Sequence, residues 1–173
     1  LIAAFIGWIW IDYYRLIEVY GREDLKYILL MFFMGAASPL IVFWADDHLL
    51  YLIPLRLTGM PGNDFLYCIV KIGMIEEFAK LVPYILMLLF MRRLFKEPLD
   101  YLAFAAISAL GFAATENTLY FYSTHGSVID TRAILTSLGH MFYTSLIGYG
   151  IIVVKFRKAK PAWLVMAGFA AFA

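Results

Sequence analysis

Glu76 and Glu77 stand side by side inside a long apolar segment, with Lys80 one helical turn later in the run Ile75-Glu76-Glu77-Phe78-Ala79-Lys80. A carboxylate at the centre of a bilayer-spanning helix costs roughly 2.5–3.5 kcal/mol on insertion scales. Two of them exceed what a packing ion pair with Lys80 or Lys71 would require. The pair therefore reads as a functional site facing protein interior or a wet cavity. An ionised carboxylate there can take a proton from water and make it a nucleophile toward a carbonyl. Acids crowded at low dielectric share protons and titrate as a unit. Later spans add a third glutamate, Glu116, and an imidazole, His140. A histidine across the site can donate to the oxyanion formed on an attacked peptide carbonyl. Water, base and oxyanion donor are what peptide hydrolysis needs. No serine or cysteine stands in an evident triad, and no His-Glu-x-x-His is present.

The elements that must carry these groups are membrane helices. Hydrophobic residues make up 64% of the 173, charged residues 16%, and mean hydropathy is +0.81; a soluble surface would need about 25% charge. The net charge of +1 points to no nucleic-acid partner. The single cysteine, Cys68, rules out an intrachain disulfide and reads as a small apolar filler. Apolar stretches cover 1–11, 27–44, 65–91, 101–122, 132–154 and 161–173. The inner four are long enough to cross a ~30 Å hydrocarbon core. The outer two are short, and the chain opens Leu1-Ile2-Ala3 and stops inside an apolar run, so a segment of a longer protein is expected. The expected fold is an all-α, polytopic bundle of about six transmembrane helices forming one domain over 1–173. The aromatic side chains, 15 Phe and 12 Tyr among them, are expected to face lipid and the interfaces. In the joint at 45–64, the stretch 49–57 is apolar enough to lie on the membrane surface.

Basic residues alternate by joint. Arg15, Arg22 and Lys26 lie in 12–26, Arg92, Arg93 and Lys96 in 92–100, and Lys155, Arg157, Lys158 and Lys160 in 155–160. The two intervening joints hold Arg56 and Arg132 alone. A multi-pass cell-membrane protein with the three basic joints cytoplasmic is expected. On that topology Glu76 and Glu77 lie just outward of the midplane, Glu116 roughly 7 Å outward and His140 roughly 4–5 Å outward. Three helices thus bring the ionisable groups to one shell in the outer half of the bilayer.

Helical spacing puts Glu76 and Lys80 on one face, with Glu77 about 100° round from Glu76. Lys80 can neutralise one glutamate while the other stays available. Pro83 marks a site for a kink. Phe112 and Glu116 share a face with Asn117 adjoining, and Thr136, His140, Thr144 and Gly148 form a stripe. The small residues between Ala103 and Ala114 make the fourth span slim and suited to a central place. Lys71 is expected to snorkel outward, His48 and His125 to lie in exposed outer joints, and Asp46 and Asp47 to mark the end of a span.

At these residues the chain resembles the PrsW family of intramembrane proteases, relatives of the prenyl-protein (CAAX) endopeptidases and CPBP proteins. Glu76-Glu77-Phe78-Ala79-Lys80 matches that family's Glu-Glu-x-x-Lys motif, Phe112-Ala113-Ala114-Thr115-Glu116-Asn117 its Phe-x-x-x-Glu-Asn motif, and His140 its later histidine. The resemblance covers about 65–154. It implies a multi-spanning protease that cuts membrane-anchored, single-pass substrates, anti-sigma factors included, near the outer face. By similarity to the prenyl endopeptidases, Glu76 would be the water-activating base and His140 an oxyanion donor, with Glu77 and Glu116 completing the catalytic set. Lys80, Asn117, Phe112 and Thr144 would support it. Those relatives carry histidine where this chain has Glu116, and asparagine where it has Thr144. No cofactor is expected; a zinc ion, if bound, would draw on Glu76, Glu116 and His140. The alternatives are a proton- or ion-coupled transporter, which also buries acids at mid-membrane, and a catalytically silent relative that binds membrane proteins.

Overall fold

The computed structural model describes residues 24–49, 52–124 and 129–172, with Ile9 and Asp12 besides. The expected span over 1–11, Arg15, Arg22 and His125 lie outside the described residues, as does the Arg132 side chain. Among the described residues there is no strand. Helices α1 (Leu25–Ala37) and α2 (Pro39–His48) are followed by α3 (Pro61–Tyr67), a π-helical stretch (Cys68–Gly73) and α4 (Met74–Phe90). A 3₁₀ turn (Arg92–Leu94) leads to α5 (Pro98–Ser123), α6 (Ile129–Phe156) and α7 (Ala162–Phe172). Leu25–His48, Pro98–Ser123 and Ala133–Phe156 are each long and apolar enough to cross a bilayer. Phe33, Phe90, Tyr122 and Phe169 are exposed on the outer surface, and water would solvate such a surface poorly. This is an all-α membrane protein.

The pattern over 27–44 reads as one rod, yet the structure divides it at Ser38. Pro39 lacks an N–H and cannot bond the Gly35 carbonyl one turn back. Ser38 supplies the missing donors, its Oγ at 2.7 Å and its amide at 3.1 Å from that oxygen. Asp46, Asp47 and His48 are exposed at the far end, where His48 stacks on Trp44.

Helix α5 is central, as its small residues predict. Every residue from Phe104 to Ala113 is buried, so this part of the helix has no lipid face. It packs against α1, α4 and α6. The approach to α1 is backbone to backbone: a Cβ on Gly111 would fall 2.1 Å from the Phe32 carbonyl oxygen, and one on Gly35 2.2 Å from that of Ser108. Gly111→Val is expected to destabilise the protein by about 3 kcal/mol, since neither backbone can yield without moving a helix. Thermal unfolding in detergent, with Ala103→Val as the comparison, measures it. Gly111 lies five residues before Glu116, so this docking also sets where α5 presents its acid.

The aromatic side chains divide in two. Many face outward, but Tyr84, Phe95, Tyr101 and Phe104 form an inner knot, with Phe95 centred 5.0 Å from both Tyr101 and Phe104 and 5.9 Å from Tyr84. The expectation of a purely lipid-facing role is corrected here. Composition counts aromatic rings without telling which side of a helix they occupy. At the start of α5, the Asp100 carboxylate accepts the Lys96 and Glu97 amides at 2.8 and 2.7 Å, satisfying donors left over at a helix N-terminus.

Ahead of α3, the Asp64 carboxylate accepts the Thr58 amide at 2.7 Å and the Gly59 amide at 3.0 Å. The Thr58 amide above all holds this carboxyl below the usual aspartate range. A depressed folded value means that the clasp is complete above the ordinary carboxylate range and is lost as pH falls through the lowered one. Hydrogen exchange at the Thr58 and Gly59 amides should therefore be protected at neutral pH and released in strong acid; Asp64→Asn should reduce that protection at neutral pH.

Candidate active site

Three helices deliver the ionisable groups to one place. Glu76, Glu77 and Lys80 come from the first two turns of α4, Glu116 from the C-terminal part of α5, and His140 and Thr144 from successive turns of α6. Lys80 is wholly buried, and its Nζ lies 2.6 Å from Glu77 Oε1 and 2.7 Å from His140 Nδ1. His140 Nε2 lies 2.8 Å from Glu116 Oε2. The Thr144 hydroxyl donates to the second Glu77 oxygen at 2.8 Å. The Phe112 ring covers the cluster, edge-to-face with His140 at 5.4 Å and 4.5 Å below the Lys80 ammonium. A desolvated ammonium over a ring face is attracted by its quadrupole.

The two adjacent glutamates have different surroundings. Both oxygens of Glu77 are engaged, and the residue is buried at 4% exposure. Glu76 Oε2 stands 3.7 Å from Lys80 Nζ, outside hydrogen-bond distance, and its side chain is 20% exposed. Spacing left open which glutamate Lys80 neutralises. The tertiary structure selects the i,i+3 partner, because Lys80 must also reach His140 on α6.

Glu76, Glu77 and His140 line a cavity of about 420 Å³. Its other walls are Phe65, Cys68, Ile69 and Gly73 before α4, Thr136, Gly139 and Tyr143 on α6, and Ala171 on α7. Cys68 is exposed on this wall, which corrects its reading as a packed filler. The turn before the glutamates is π-helical, closed by the Met74 amide to the Ile69 carbonyl. Such widened turns occur mostly as isolated bulges and often at functional sites. Pro83 does not interrupt the α-helical pattern of α4; the departure from it lies above the glutamates instead. Lys71 lies in that stretch, its ammonium 5.8 Å from the Tyr67 ring.

Asn117 does not join the ion cluster. Its Nδ2 donates to Ser137 Oγ at 3.3 Å, and Ser137 in turn bonds the Ala133 carbonyl, so Asn117 ties α5 to α6 beside Glu116. Ser108 similarly donates to the Lys80 carbonyl at 2.7 Å. Sequence reasoning missed both serines, since a lone serine on a small-residue face carries no signal of its partner.

A family model described as "PrsW family intramembrane metalloprotease" matches residues 23–173. The chain belongs to the PrsW family of intramembrane proteases. It is 27% identical over 160 residues to a protein named Protease PrsW from Geobacillus kaustophilus, covering 92% of this chain and 68% of that one. Another of that name, from Clostridioides difficile, is 28% identical over 169 residues, covering 92% and 66%. A third, from Bacillus subtilis, is 26% identical over 160 residues, covering 91% and 70%. The chain thus spans about two thirds of the length of these PrsW relatives. No solved structure matches it.

The family's description implies a metal, and the donors can be tested for one. Among the described residues no three of His, Cys, Asp and Glu converge on a common point. His140 meets Lys80 at one nitrogen and Glu116 at the other, while Glu77 is taken by Lys80 and Thr144. A dication beside the Glu76 carboxylate would also meet the Lys80 ammonium. In this arrangement the residues do not fit a metal.

Proposed function

We propose that this PrsW-family chain hydrolyses a peptide bond of a membrane-anchored protein with a water activated by Glu76. The observation that carries the reading is the inequality of the two adjacent acids: Glu77 is spent on Lys80 and Thr144, whereas Glu76 opens onto the cavity beyond hydrogen-bond distance of the ammonium. Glu76 takes a proton from water as the water oxygen bonds to the scissile carbonyl carbon. The carbonyl oxygen becomes an oxyanion and receives the Nε2–H of His140, which turns to it from Glu116. Glu76 then returns its proton to the amine as the C–N bond breaks. Glu116 holds the imidazole, Glu77 fixes Lys80, and Phe112 and Asn117 set the helix faces. No cofactor enters, and the kinship with glutamate-dependent CPBP proteins is part of the same reading.

The substrate proposed is a single-pass membrane protein of the anti-sigma-factor kind, by family resemblance. Phe65, Ile69 and Tyr143 give the cavity apolar walls suited to an extended membrane segment. The chain sits multi-pass in the cell membrane, with joints 12–26, 92–100 and 155–160 on the cytoplasmic side and no nucleic-acid partner.

The test is purified enzyme in proteoliposomes with a panel of single-pass membrane proteins, reading new termini by mass spectrometry. Cleavage that survives a chelator is expected. His140→Ala should lower kcat about 10²–10³-fold, the size of losing an oxyanion donor. Proton-driven solute uptake without any cleavage would favour the transporter instead.

A further inference from the structure

We infer that Lys80 is a positioning residue that locks His140 into one neutral tautomer, with its proton on Nε2. The inference follows from counting donors and acceptors along a chain of contacts that runs from α5 through α6 to α4 and back. An ammonium has three N–H donors and no acceptor. Lys80 Nζ lies 2.6 Å from Glu77 Oε1, and since a carboxylate only accepts, the amine donates to it as an ammonium. It then also donates toward His140 Nδ1, 2.7 Å away, and that nitrogen must offer its lone pair. A neutral imidazole accepting at Nδ1 carries its hydrogen on Nε2. The Nε2–H in turn faces a carboxylate oxygen of Glu116 at 2.8 Å, where a donor is required. Thr144 closes the far end by donating to Glu77. Each contact has one donor and one acceptor in this assignment. A doubly protonated His140 would set an N–H against the buried ammonium, and the opposite tautomer would set lone pairs against Glu116.

The consequence deepens the proteolytic reading and rests on it. A neutral imidazole with its proton on Nε2 keeps a donor that Glu116 holds until an oxyanion competes for it, so no proton has to relocate between the ring nitrogens. The same ammonium lies 3.7 Å from Glu76 and so leaves that carboxylate's hydrogen-bonding capacity untouched. Lys80 occupies the centre of the cluster, in contact with both Glu77 and His140.

The test is nitrogen NMR on enzyme labelled with ¹⁵N-histidine in a His48→Gln, His125→Gln background, which leaves His140 as the one imidazole of these 173 residues. Folded protein at neutral pH should show a single neutral tautomer protonated on Nε2. A proton on Nδ1, or on both nitrogens, overturns the assignment, whatever becomes of the variants. In Lys80→Gln, mixed tautomers or an imidazolium are expected, with kcat down about 10–100-fold, as when a histidine's orienting partner is lost, and KM within about twofold. Lys80→Arg should keep the Nε2–H signature. An unchanged signature in Lys80→Gln would remove Lys80 from the role. Because the spectrum needs no substrate, failure of the tautomer lock and failure of the protease reading are separable results.

Discussion

Glu76→Gln should abolish cleavage, with kcat falling on the order of 10²–10⁴-fold, while the protein inserts and melts as before. The amide keeps the shape of the acid and loses its ability to take a proton, so the loss has the size of a missing general base. Little stability is at stake. The Glu76 carboxylate stands 3.7 Å from Lys80, the ammonium keeps its short contact to Glu77, and the side chain is partly exposed to the cavity. A change of about 0.5 kcal/mol or less is expected, as for positions without a buried hydrogen-bond network. Turnover of a membrane-anchored substrate, measured beside thermal unfolding in the same detergent, separates the two quantities. Wild-type turnover in Glu76→Gln would end the assignment of the base.

Its neighbour should fail in the opposite way. Glu77→Ala strands a fully buried ammonium and a buried Thr144 hydroxyl, and breaking a buried pair from one side costs about 3–5 kcal/mol. The expected phenotype is a fold that unfolds early, loses α4 docking and is inactive for that reason. The double variant Glu77→Ala, Lys80→Met removes both charges together and should recover a large part of the lost stability, yet remain slow because His140 has lost its partner. If Glu77→Ala melts like wild type, the ion pair is not what holds α4 against α6. Two adjacent residues of one type, one lost to chemistry and the other to folding, form a sharp contrast. It follows from a single lysine reaching past Glu76 to His140.

Much of this was legible from residue order alone. The helical architecture follows from long apolar stretches, and the central place of α5 from the small side chains between Ala103 and Ala114. Helical spacing gathered Glu76, Glu77 and Lys80, and depth counting brought Glu116 and His140 to the same level. Phe112 shares a face with Glu116, and that face meets His140 in the structure. Other features were not legible. The break at Ser38 depends on which donor replaces the one Pro39 lacks. The π-helical turn above the glutamates is a hydrogen-bonding choice over Cys68–Gly73 that no local pattern reports. The inner aromatic knot has the same composition as a lipid-facing belt.

Sequence by itself determined that acids and an imidazole would lie at one level of a membrane bundle, because span length and rise per residue place a side chain along the bilayer normal. It could not determine rotation about each helix axis, and rotation decides which groups touch. Only the tertiary packing, with α4 tied to α5 through Ser108 and the Lys80 carbonyl and to α6 through Thr144 and Glu77, turned Lys80 toward Glu77 and His140 and left Glu76 facing the cavity. Depth is a one-dimensional property that the chain carries in its order; pairing is a three-dimensional one that exists only once the helices have docked.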